Sequence, residues 1–73
     1  VGRLLLRALR FAPGARVAAN APLQFQSSLV VEGSTVIDGE TLGVWDFVHV
    51  PNGFEHGPIG FPKGATLLAA TLR

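Results

Sequence analysis

Glycine and proline interrupt this chain so often that no apolar run exceeds the length of one strand. The longest, ATLLAATL (65–72), spans eight residues. Globular helices need ten or more residues at a period near 3.6, whereas strands are complete in roughly four to eight. Short runs bounded by Gly, Pro and Asp-Gly therefore read as a series of strands, the pattern of an all-β sandwich or barrel. The sharpest of these signals is TVIDGETL (35–42). Its Asp38-Gly39 pair predicts a hairpin, because a type I′ turn needs positive φ at both central residues. Pro13-Gly14 punctuates the first pair of runs, and LQFQSSLVVEG (23–33) is strand-like around Val30 and Val31. GVWDFVHV (43–50) is β-branched and aromatic, and Pro51-Asn52-Gly53 turns the chain after it. GFPKG (60–64) reads as a turn and GATLLAATL (64–72) as the closing strand.

RLLLRALRF (3–11) carries Arg3, Arg7 and Arg10 at helical spacing with leucines between them. A basic amphipathic helix could rest on a membrane or in a partner's groove. The alternative is a strand with solvent-facing arginines, which the all-β context and Pro13-Gly14 favour.

Size sharpens these expectations. The 73 residues (1–73) make a single domain, and a chain this short buries only about 60% of the surface it exposes when unfolded. Small domains commonly add disulfides, a metal or a partner chain. Cysteine is absent, which leaves the metal or the partner. An apolar fraction of 48% is high for so much surface and predicts a partner-facing patch, most simply that of a homodimer. The net charge of +1 supplies no clustered basic stripe for nucleic acid. No apolar run approaches the ~18 residues that span a bilayer. No secretory signal is read, so a cytoplasmic protein with neither nucleic-acid nor membrane partners is expected.

Residues 45–56, WDFVHVPNGFEH, hold both histidines and run a strand into Pro-x-Gly with a histidine three residues on. Pro51 presets φ, Gly53 opens conformations other residues resist, and the turn could aim His56 into a barrel mouth. This resembles the second motif of the cupins, small jelly-roll β-barrels, which reads Gly, five residues, Pro-x-Gly-x-x-His. Pro51, Gly53 and His56 match it. Trp45 stands where the motif has its leading Gly, Asp46 matches the Asp that usually follows, and Gly60 replaces the Asn that can follow the His. Upstream, RFAPGARV (10–17) and SSLVVEGSTVIDGE (27–40), with Gly33, resemble the family's strand–turn and strand–Gly–strand segments. The cadence is closest to the subfamily of anti-sigma cupin domains and acetylacetone-cleaving dioxygenases.

The resemblance implies a metal site built from His-x-His, Glu and the second-motif His. Here the first-motif positions fall on Asn20 and Pro22, or Ala19 and Ala21, with Gln26 at the Glu; another register places Gln24 and Gln26 on the His pair. Only His56 remains of four ligands, and amides are poor ligands for zinc or iron. The expectation is therefore a cupin-like all-β jelly-roll barrel, completed by dimerisation, with a degenerate and empty metal site. Its function is read as small-molecule binding or an accessory role, and its pocket as Gln24, Gln26, Trp45, Phe47, Phe54 and His56. The alternative is a dioxygenase-type enzyme holding Fe, Zn, Mn or Ni on His56 and Gln26, with Asn20 or His49 assisting. A second alternative is a structural dimerisation module. Strand alternation places His49 with Trp45 and Phe47, opposite Asp46, Val48 and Val50, as a half-buried strand residue. Trp45, Phe47, Phe54 and Phe61 read either as core and dimer interface or as the walls of an apolar pocket with a small organic ligand. Asp38 and Asp46 read as turn and strand-entry residues. No nucleophile elbow or phosphate loop is present.

Overall fold

The structure, a computed structural model, describes residues 2–21, 26–51, 53 and 55–72. Among them lie eight strands and no helix: β1 (Leu4–Phe11), β2 (Ala15–Val17), β3 (Ser27–Gly33), β4 (Thr35–Ile37), β5 (Glu40–Leu42), β6 (Phe47–His49), β7 (Ile59–Phe61) and β8 (Ala65–Leu72). They form two antiparallel four-stranded sheets, β1-β8-β3-β6 and β2-β7-β4-β5. Residues 4–11 are thus a strand. No helix of the described residues is long and apolar enough to cross a membrane.

One turn organises the whole. Asp38 and Gly39 have φ of 52° and 78°, the two positive values a type I′ turn requires. A Cβ on Gly39 would meet nothing, so it is the sign of φ, not crowding, that selects glycine there. From this turn the two arms run out as one long hairpin: β4 pairs with β5, β3 with β6, β2 with β7 and β1 with β8. The register barely drifts. Leu4 faces Leu72, Ala15 faces Phe61 and Ser27 faces His49, each pair of numbers adding to 76, while Thr35 faces Leu42, adding to 77. A flat ribbon this long would leave both its faces wet. It rolls instead, so that β1·β8 and β3·β6 fall in one sheet and β2·β7 and β4·β5 in the other. That nesting is a jelly roll. The sheets are not closed into a barrel; β1 and β6 are edges of the first and β2 and β5 of the second.

Alternation then decides what is inside. Val30, Ala65, Leu67 and Ala69 of the first sheet meet Ile59 and Phe61 of the second, all buried. Phe11 stacks on Phe61 with ring centroids 4.0 Å apart, tying the edge strand β1 to the opposite sheet. Fully burying one such side chain stabilises by about 1.5–3 kcal/mol. Gly33 ends β3 at φ 74°, and any side chain there would run into the Gly64 carbonyl oxygen. The backbones of β3 and the turn before β8 therefore touch only because Gly33 has no Cβ.

Candidate functional site

The roll has two ends. At one, the 18–21 loop, the β4–β5 turn and the segment before β7 converge on His56, which is only 6% exposed. Its Nδ1 lies 2.7 Å from the Gly57 carbonyl oxygen and its Nε2 lies 3.0 Å from that of Ala21. A carbonyl can only accept, so the ring can donate in both contacts only as the imidazolium. Its pKa accordingly sits above the ordinary histidine value, owing first to the Gly57 carbonyl, then to that of Ala21, with the Asp38 carboxylate adding; enclosure acts the other way. The main chain is fastened as well. Asn20 Oδ1 accepts from the His56 amide at 2.8 Å, the Asn20 amide donates to the His56 carbonyl at 3.0 Å, and Asp38 Oδ1 accepts from the Gly57 amide at 2.8 Å. Asn20 and Asp38 both hold positive φ, of 57° and 52°, a conformation short polar side chains tolerate.

Trp45 belongs to the other end. It precedes β6 in a turn closed by the Asp46 amide on the Gly43 carbonyl (3.0 Å) and by Asp46 Oδ2 accepting from the Gly43 amide (2.9 Å). Trp45 is the third residue of that turn and has φ 75°. This is the type II position, where glycine is favoured. The cupin-like motif would have its leading Gly here. The backbone keeps the glycine conformation while the residue is a tryptophan, a strain of about 1–2 kcal/mol. The side chain this displays is 72% exposed.

From Trp45 an apolar face spreads over the outside of the first sheet. Ala8, Leu68, Leu29 and Phe47 are register partners in turn and form one row across all four strands. None of them is buried, and Phe47 is 61% exposed. Leu4 and Leu6, 60% and 59% exposed, lie on the same side of β1 as Ala8 by alternation. Ser27 Oγ and His49 Nδ1, 2.7 Å apart, pair on this exposed side of β3 and β6.

Four of the six residues read as a pocket, Gln26, Trp45, Phe47 and His56, lie among the described residues. Phe47 and Trp45 are exposed, not core: β6 turns Val48 inward and Phe47 outward, and Trp45 lies in the turn before it. His56 is enclosed at the opposite end, and Gln26 is exposed, its carbonyl accepting from the Val50 amide at 2.7 Å. Gln24 and Phe54 lie outside the described residues. Of the four aromatics grouped by sequence, Phe61 is core. His49 is exposed rather than half-buried. The donor set does not fit a resident metal: both His56 nitrogens are committed to carbonyls, and no three of His, Cys, Asp or Glu come together among the described residues.

Sequence reasoning gave Asn20 as a ligand position and Asp38 as a turn residue; their joint hold on the His56 segment it missed, because those partners lie 36 and 19 residues away. It missed the outer row too, although a signal existed: β8 is apolar at both alternations. No family model, curated protein or solved structure matches the chain.

Proposed function

We propose that this chain is a non-enzymatic, cupin-type jelly-roll module whose work is self-assembly, two copies joining through the outer face of the β1-β8-β3-β6 sheet. The observation that carries this is Trp45, held in a strained glycine conformation and yet left open to solvent at the edge of an apolar face. Strain at a displayed side chain points to a use for that side chain. Three further arguments support a second copy as the occupant. The β8 run ATLLAATL has the continuous apolar character of a strand covered on both faces, and the described residues cover only one. Leu4, Leu6, Trp45 and Phe47, each more than half exposed, are large apolar side chains of the kind that supply the anchors of an interface. The row from Ala8 to Phe47 holds no charge, so a two-fold-related copy meets it without like-charge repulsion. Self-assembly is preferred to the small-molecule reading because Trp45 and Phe47, two of the residues grouped with His56 in that pocket, are exposed while His56 is enclosed.

Trp45 is the only tryptophan and reports on the interface directly. Its emission is expected to shift to the blue as concentration rises and back to the red on dilution, with Phe47→Lys abolishing the change. Emission typical of a water-exposed indole at every concentration would overturn the proposal.

A further inference from the structure

We propose that His56 is a protonation-operated clip: as the imidazolium it fastens the 18–21 loop, residues 55–57 and the β4–β5 turn at one end of the roll, and loss of one proton releases them. The inference is separate from self-assembly, which uses the other end and the outer face.

The geometry is specific. Nδ1 and Nε2 each lie within hydrogen-bond reach of a main-chain carbonyl oxygen, at 2.7 and 3.0 Å, and only the imidazolium can donate to both. A neutral ring keeps one N–H. Its bare nitrogen would turn a lone pair on a carbonyl oxygen, converting one of the two bonds into a repulsion. The Nδ1 bond is local, to the next residue, but the Nε2 bond reaches Ala21, 35 residues away, and is the one that holds the loop. The ring is enclosed, so no solvent replaces a lost partner until the segment moves. The charged group facing the ring is Asp38, from the β4–β5 turn, which also grips the Gly57 amide. The 18–21 loop brings only amides and carbonyls, and Glu55, the adjacent residue, is exposed. Asp38 thus plays two parts: it favours the charged ring and, through Gly57, positions the segment that carries it.

The sign is fixed by linkage. The clipped state holds its proton more tightly than the released state, so the clip is at full strength below the ordinary histidine midpoint of 6.5. It weakens as pH rises and is gone above the clipped midpoint. Between the two, the opening constant rises about tenfold per pH unit.

The test is NMR on the full chain. Imidazole ¹⁵N shifts of His56 are followed with pH, together with hydrogen exchange at the amides of Asn20, His56 and Gly57, corrected for the intrinsic pH dependence. The expected result is a doubly protonated ring in mild acid, a midpoint above the ordinary histidine value of 6.5, and amide protection that falls through the His56 transition. Asp38→Asn preserves an acceptor for the Gly57 amide but removes the charge; it is expected to move both the midpoint and the loss of protection to lower pH together. A neutral His56 tautomer in mild acid, protection that ignores the His56 titration, or an unmoved midpoint in Asp38→Asn would each overturn the proposal.

Discussion

Trp45 sets a folding preference against an assembly preference within one residue. Replacing it by glycine removes about 1–2 kcal/mol of left-handed strain and returns a few tenths to 1 kcal/mol through the more flexible unfolded chain. Dilute Trp45→Gly is therefore expected to be more stable than the parent by about 0.5–1 kcal/mol in urea titrations, while its association weakens at least about tenfold, as for a lost tryptophan anchor. A variant that is less stable and associates normally would show that the strained turn serves folding alone. Two glycines give a matched contrast. Gly39→Ala adds a Cβ into open space and is expected to cost only the turn penalty, about 1 kcal/mol. Gly33→Ala adds the same atom against the Gly64 carbonyl and is expected to cost about 3 kcal/mol or more. Denaturant midpoints of the two would separate conformational from steric demand. His56 contributes a pH signature: the melting temperature is expected to fall as pH rises from 6.5 through its raised midpoint, and His56→Ala is expected to flatten that part of the profile.

At the level of elements, β6 presents two opposite faces within three residues. Val48 is buried while Phe47 and His49 beside it are exposed. Phe61→Ala on β7 opens a cavity in the core and is expected to cost about 3–5 kcal/mol. Phe47→Ala is expected to cost the dilute chain no more than about 0.5 kcal/mol, its effect being confined to association; equilibrium unfolding at low concentration distinguishes the two. The same strand shows how far the sequence could be read. Alternation correctly set Phe47 and His49 opposite Val48, because side-chain period two is a local property, but it did not extend to Trp45 and Asp46, which lie in the turn before β6. It could not say which side faces the other sheet, because that depends on the register of β6 on β3 and on how the hairpin rolls. The Asp38-Gly39 turn was legible for the opposite reason, since its chemistry is complete in two residues. His56 fell between these cases. Its turn was readable from Pro51 and Gly53, but its partners come from distant loops that no local pattern announces.

The whole molecule is one hairpin rolled into two sheets, and its interior is correspondingly thin. The buried apolar set comprises small or medium side chains apart from Phe61, Ile59 and Leu67. The proposed self-assembly would cover the apolar row on the outer side of the first sheet with a second copy. Because the face proposed to be shared carries no charge in its central row, association is expected to be nearly indifferent to salt between dilute and molar buffers, unlike a contact built on ion pairs. Association that weakened steeply with salt would place the interface on the arginines of β1 instead. The most direct measurement is sedimentation equilibrium of the parent chain and of Phe47→Lys over a wide concentration range. Self-assembly through the outer face predicts a parent mass that climbs from the 7.7 kDa of one chain to twice that value, and a folded variant that stays at one chain throughout. A parent that remains a single chain at every concentration, or a variant that dimerises as the parent does, would contradict it.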